Sequence, residues 1–186
     1  MAGMIILGIL FYGELKIFLQ RPSLYRHALF IHIASVTLFF SNALIGILWE
    51  LRSLATRRRD IIRHTYDTVS WIDARFSSPL IILSVSSGIV LTLMLGDIWK
   101  IGWLFTAFVL FLLSGLMWVI SDIPTQYKIK SRMEQLDSRE ESFPEDLIRL
   151  LKMRLLISLA GVIPMVAVFL LMVYKPDINW FSNMFP

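Results

Sequence analysis

The chain contains no cysteine, which excludes disulfide bridges, iron–sulfur clusters, thiolate haem ligation and cysteine nucleophiles. Charged residues are also scarce, at 17%, whereas hydrophobic residues make up 56% of the 186 residues. This balance and the mean hydropathy of +0.68 are typical of an integral membrane protein of one domain. The sequence also lacks HExxH motifs, glycine-rich phosphate loops and nucleophile motifs, so it carries no common hydrolase or nucleotide-binding signature.

The chain has a net charge of +4, but no aromatic-interleaved basic surface that would indicate a nucleic-acid partner. The basic residues instead collect in two polar connections, residues 51–78 and 125–154, while the 97–100 turn holds a single lysine. Basic loops stay on the cytoplasmic side of a membrane. The pattern therefore predicts a multi-pass protein of the bacterial inner membrane, with both long connections cytoplasmic and both ends of the four-span domain outside.

Four apolar stretches are long enough to cross a hydrocarbon core of about 30 Å. They are residues 25–50, 79–95, 101–120 and 155–174. We therefore predict an all-α transmembrane bundle of four main spans over residues 25–174. Residues 1–20 are expected to form an interfacial or partly inserted helix, and residues 175–186 an interfacial tail.

Capping residues and prolines predict several helix boundaries and one kink in this four-span bundle. Ser77, Ser78 and Pro79 are predicted to form a cap followed by proline in the first turn of the second span. Ser142 to Glu145 fits a capping box that would start the last helix. Pro164 should kink that helix.

His32 is the one histidine that lies within an apolar span, on a stripe of small and polar residues that includes Ala28, Ser35 and Gly46. Membrane helices turn such stripes towards other helices, so His32 should point into the bundle. One interpretation is an axial ligand to haem b, with Met94 and Met172 as secondary candidates for the opposite ligand, or a proton-handling group. The alternative is a histidine that hydrogen-bonds a neighbouring helix. Beyond this haem iron, no metal site is predicted.

Asp73 precedes the second span and is the centre of a second predicted site. Several polar residues are expected at the same membrane level: Glu50, Arg52, Arg75, Asp122 and Gln126. This polar cluster either binds an anionic or polar head group or supports proton transfer, or it forms an ion-pair network that ties the helix ends together. His32 and Asp73 lie towards opposite faces of the membrane, so they are not expected to form one catalytic pair.

Three short motifs resemble the DUF2269 family of predicted bacterial integral membrane proteins. They are the histidine early in the first main span, HIASVTLFFSNALIGILWELRS, then DARFSSP before the second, and DIPTQ after the third. That family is similar in layout to copper-resistance D-type proteins and to the HemJ-type protoporphyrinogen oxidase, in which a histidine of the first span is associated with haem. The resemblance implies a haem role for His32 alone, because the lysine and the further motifs of the HemJ type are not recognisable.

These observations leave three functional hypotheses. The first is a haem-binding or redox-linked membrane protein that uses His32. The second is a non-catalytic subunit or assembly factor in the lipid bilayer, whose small-residue faces dock a partner protein or a second copy of the chain. The third is a HemJ-like oxidase, so whether the protein is an enzyme stays open.

Overall fold

The computed structural model describes residues 22–96, 98–135 and 144–178, without the side chain of Trp99. Within these ranges the chain is helical and contains no strand. The helices are α1 (Pro22–Thr56), α2 (Arg59–Ile72), α3 (Ser78–Leu95), α4 (Gly102–Met117), α5 (Ile123–Gln135) and α6 (Glu145–Tyr174). A π-helical turn joins α2 to α3 (the first π-turn, Asp73–Ser77), and another joins α4 to α5 (the second π-turn, Trp118–Asp122). A short 3₁₀ turn, Ile98–Lys100, precedes α4.

The predicted four-span, all-α architecture is confirmed. Four continuous helical stretches are long and apolar enough to cross a membrane: Pro22–Thr56, Arg59–Leu95, Gly102–Gln135 and Glu145–Tyr174. At about 1.5 Å per residue, the 35 residues of α1 extend well beyond a hydrocarbon core of ~30 Å. The predicted N-terminal helix over residues 1–20 and most of the tail lie outside the described residues.

The first connection is more helical than the sequence predicted. Residues 51–78 are not a polar loop, because the chain reverses only at Arg57 and Arg58, where Arg57 has a positive φ of 54°. The predicted cap at Ser77 is wrong as well. Ser77 has helical backbone angles and makes no side-chain cap bond, since the helix runs through it from α2 into α3. The last helix begins at Glu145, with Pro144 as its N-cap residue and no side-chain cap bond. Glu145 is thus the first helical residue and not the third, as the predicted capping box requires, and Ser142 lies outside the described residues.

Both π-turns arise from a proline that follows them in the chain. Each ends two residues before a proline, Pro79 or Pro124, which has no backbone N–H to donate and whose ring clashes with the carbonyl four residues earlier. The extra residue of a π-turn absorbs this conflict. Accordingly, the N–H of Ser78 donates to the carbonyl of Asp73, and that of Ile123 to the carbonyl of Trp118. π-Turns inside α-helices often mark functional sites.

The spans pack as two pairs, α1 with α3 and α4 with α6, and α1 also contacts α6. We call the end of the bundle that carries α2, α5 and the first turns of α6 the polar end. There, amphipathic α2 closes a core of its own with α5 and α6. This polar-end core consists of Ile62, Tyr66, Ile129, Met133, Leu147 and Leu151.

Candidate functional site

The centre of the candidate site is a single buried arginine, Arg154 of α6, whose side chain is 2% exposed. Its Nη1 donates to Oε1 of Glu50 on α1. Its Nη2 lies 3.8 Å from Oδ2 of Asp73, and its Nε lies 3.3 Å from Oδ1 of Asp122. One guanidinium therefore faces three carboxyl groups from three other parts of the chain, and we call these four residues the charge cluster.

Neutral groups complete the surroundings of the cluster. Asp122 accepts hydrogen bonds from the Gln126 amide, 2.7 Å from Oδ2, and from the Ser158 hydroxyl, 3.2 Å from Oδ1. The ring of Tyr66 lies 5.1 Å from the Arg154 guanidinium carbon, within reach of a cation–π interaction. Among the described residues, two buried atoms have no hydrogen-bond partner, Oε2 of Glu50 and Nε of Arg154.

The π-turns supply two of the three carboxyl groups. Asp73 is the first residue of one π-turn and Asp122 the last residue of the other. Because each π-turn changes the helical phase by one residue, it alters the direction in which the adjoining side chains point. The proline-induced π-turns thus help to bring both aspartates to the arginine of α6.

A cavity of about 780 Å³ extends from the charge cluster into the bundle. Its lining on α1 runs from Phe39 to Glu50, which corresponds to roughly 16 Å of helix rise. The remaining walls come mainly from α4 and α6, with the two π-turns, Val69 of α2 and Ile81 of α3, and most of the lining is apolar. All four residues of the charge cluster line it, so the cavity joins a hydrocarbon-like chamber to one concentrated group of charges.

A second cavity of about 370 Å³ lies on the other side of the cluster, among α2, α5 and the π-turns. Asp73, Trp118 and Arg154 line both cavities. The second cavity also reaches Asp67 and Lys130, which are exposed. The charge cluster therefore separates an apolar chamber from a polar pocket at the end of the bundle.

The structure brings together only part of the polar cluster predicted from the sequence. Glu50, Asp73 and Gln126 meet around Arg154, whereas Arg52 is exposed and Arg75 lies over the exposed ring of Trp71, 5.2 Å from its centroid. Sequence reasoning placed Asp122 at this level but missed Arg154, which it counted only as one of the loop charges. A signal was available, because residues 154, 158 and 161 form one small or polar helical stripe.

His32 lies between α1 and α3, about seven residues or ~10 Å of helix rise from the Phe39 end of the cavity. Its Nδ1 is 2.9 Å from the backbone oxygen of Ser84 and 3.4 Å from the hydroxyl of Ser87. A carbonyl oxygen only accepts, so Nδ1 carries the proton, and neutral His32 has its lone pair on Nε2. Neither of the two cavities is lined by His32.

The two methionine candidates are half-buried, and neither lines the two cavities. The imidazole of His32 lies beside Gly88 of α3, because a Cβ added to Gly88 would be 3.1 Å from Cε1 of His32. Met94 lies six residues, about 9 Å of rise, beyond Gly88. Met172 lies three residues beyond Phe169, whose ring contacts Phe40 of α1 at 4.8 Å. The geometry gives neither methionine a contact with His32.

The arrangement is that of a membrane-embedded helical bundle, and comparison with known proteins gives its family. Residues 27–176 match the family described as "Predicted integral membrane protein (DUF2269)". The match covers most of the chain, so the protein belongs to this family, as its three motifs indicated. No curated protein and no solved structure matches the chain.

Proposed function

We propose that this protein binds an amphipathic, lipid-soluble small molecule inside the membrane, with the apolar part in the large cavity and the polar part at the charge cluster. The observation that carries the proposal is the position of Glu50, Asp73, Asp122 and Arg154 at one end of an apolar chamber of about 780 Å³. Small-molecule sites are commonly apolar cavities of ~300–1,000 Å³ with a few convergent polar groups.

The cost of burying these charges supports a functional reading. Replacing a buried ion pair by well-packed apolar residues is often neutral or stabilising, so a contribution to stability does not by itself explain why such a cluster is present. Intramembrane ionisable groups commonly mark ligand or ion pathways. Here the four residues border an apolar cavity, although the side chains of Glu50, Asp122 and Arg154 are themselves buried.

The proposal is tested by filling the cavity. Gly115 lines it, and a Cβ added there would have no neighbour within 4 Å, so Gly115→Phe enters open space. Ile163→Phe, at an exposed position of α6 outside the cavity lining, is the matched control. Native mass spectrometry of protein extracted from membranes should show a bound small molecule on the wild type and on Ile163→Phe, but not on Gly115→Phe. Identical spectra for all three would refute the proposal.

Haem b at His32 is a second candidate function, favoured by the hydrogen bond from Nδ1 to the Ser84 carbonyl. A backbone acceptor on the far nitrogen is the usual partner of a metal-ligating histidine, and it leaves Nε2 available to iron. The donor chemistry of His32 therefore fits an axial ligand, with Ser84 orienting the ring. Bound haem would supply one-electron redox chemistry. The hypothesis of a HemJ-like oxidase is supported by His32 alone.

An absorbance spectrum tests the haem proposal. Protein from haem-replete cells should show a Soret band that His32→Ala removes, while His27→Ala, an exposed histidine of the same helix, keeps it. A colourless wild-type protein that also fails to take up added haemin would rule out the haem role. If the cavity test failed too, the hypothesis of an accessory subunit that docks a partner protein or a second copy would take first place.

We also propose that the polar end faces the cytoplasm of a bacterial inner membrane, because the long basic connections lie there. A reporter fused within residues 125–143 should behave as cytoplasmic and one after Tyr174 as external. The opposite signals would reverse the orientation.

A further inference from the structure

We propose that the molecule bound in the large cavity is a lipophilic cation, whose positive charge meets the acidic side of the charge cluster. This inference rests on the proposed cavity function and adds the charge of the ligand to it. It is carried by the balance of charges around Arg154 and by one carboxylate oxygen without a partner.

The charge balance at the end of the cavity is acidic. Among the described lining residues, three carboxyl groups face the cavity together with one guanidinium. Arg52 and Arg75, the other arginines expected at this level, are exposed and lie outside the cavity lining. In a low-dielectric site such an acidic excess has to be neutralised by bound protons or by a counter-cation.

The guanidinium is faced by a carboxyl group at each of its three nitrogens, although its buried Nε has no hydrogen-bond partner among the described residues. Nη1 bonds Glu50, Nη2 faces Asp73, and Nε faces Asp122 at 3.3 Å. A carboxylate or phosphate head group would have to displace one of these side chains and would meet the other two as like charges. A cationic head group is repelled by Arg154 but attracted by three carboxyl groups, which outnumber the one guanidinium in the cavity lining.

Glu50 provides the contact point. The residue is 2% exposed and lines the cavity, and its Oε2 has no hydrogen-bond partner among the described residues. A buried carboxylate oxygen without a donor carries a desolvation penalty that a ligand N–H or a positive charge would relieve. The aromatic lining residues Phe39, Phe40 and Phe111 also suit a cation, because π-faces attract positive charge.

The test compares two ions of the same shape and opposite charge. Tetraphenylphosphonium and tetraphenylborate are added to the purified full-length protein in nanodiscs, and binding is measured by equilibrium dialysis against empty nanodiscs. Wild-type protein should bind the phosphonium at least tenfold more tightly than the borate. Glu50→Gln, which keeps the shape and removes one negative charge, should lose at least tenfold in phosphonium affinity. Asp60→Asn, an exposed acid paired with Arg58 outside the cavity, should change nothing.

The outcomes separate this inference from the cavity function. If both ions bind equally and Gly115→Phe abolishes the binding of both, the proposed cavity function stands. The inference that the ligand is a cation is then overturned. Binding that is insensitive to Gly115→Phe, or absent, would overturn the cation inference, and native mass spectrometry would then decide the cavity function independently. If Glu50→Gln does not fold, Asp73→Asn replaces it, because that side chain is 22% exposed and lies 3.8 Å from Arg154. An unchanged phosphonium affinity in a folded variant of either kind would also contradict the inference.

Discussion

The two halves of this bundle solve the problem of packing in different ways. At the polar end, α2, α5 and α6 close an apolar core like that of a water-soluble protein, next to the charge cluster. In the opposite half, α1 pairs with α3 through small residues and through His32, while α4 and α6 form a separate pair. The large cavity is lined by residues of both pairs and adjoins the charge cluster.

The difference shows where stability and function reside. Water drives burial at the polar end, whereas helices in lipid associate through close packing and hydrogen bonds. The large cavity lies next to the polar end, because its lining on α1 runs only from Phe39 to Glu50. The charge cluster lies between the polar-end core and the part of the bundle that packs in lipid. Substitutions in the cluster and in each of these two parts should therefore distinguish its role in stability from its role in binding.

The largest effect is expected from Arg154→Met, which keeps the length of the side chain and removes its charge. The buried carboxyl groups of Glu50 and Asp122 and the partly exposed one of Asp73 would then lose their common partner, at a cost of about 3–5 kcal/mol. Thermal unfolding in detergent should show a large fall in the midpoint, or loss of folded protein. Arg149→Met, at an exposed arginine of the same helix, is the control and should melt like the wild type. Equal melting of both variants would show that the cluster does not hold the bundle together.

The next effect concerns the polar-end core. Leu151 is 0% exposed, so Leu151→Ala should leave a cavity and cost about 2–4 kcal/mol. Leu156, on the same helix but 65% exposed, faces the surroundings, and Leu156→Ala should have little effect. If the lipid-facing substitution proved as damaging as the core substitution, the contrast between the two halves would not hold.

A smaller effect is expected at Asp73, whose side chain is 22% exposed and 3.8 Å from Arg154. Partial exposure weakens the pair, so Asp73→Ala should cost about 1–2 kcal/mol. Asp73→Glu keeps the charge and should cost less. Thermal unfolding of both variants beside the wild type measures this difference. Unchanged melting in both would make Asp73 a group that serves ligand binding alone.

The sequence predicted the four spans because each is a long apolar run, and no tertiary information was needed for them. It did not predict that residues 51–78 are helical, since dense charges there resemble a loop. The apolar spacing of Ile62, Tyr66 and Val69 in α2 was the signal that indicated otherwise.

The carboxyl groups of the charge cluster were predictable, but its arginine was not. Glu50, Asp73 and Asp122 could be placed at one level by counting residues along the chain. The partner could not be chosen in this way, because several arginines lie at the same level and only the packing of α6 decides which one is buried. Proline-induced π-turns add a change of helical phase that counting residues does not include.

The smallest effect sharpens the description of the α1–α3 contact. Alanine normally stabilises a helix by about 1 kcal/mol relative to glycine. At Gly88 the new Cβ would lie 3.1 Å from Cε1 of His32 and 3.4 Å from Nδ1, so the imidazole would have to move away from the Ser84 carbonyl. At Gly115 nothing lies within 4 Å, so the usual gain should be retained. Gly88→Ala should therefore be less stable than Gly115→Ala by roughly 1 kcal/mol, through overpacking.

Thermal unfolding of the two variants side by side measures this difference. If Gly88→Ala is as stable as Gly115→Ala, the imidazole is not held tightly against α3, and the ordered Nδ1 bond on which the haem proposal rests is lost with it.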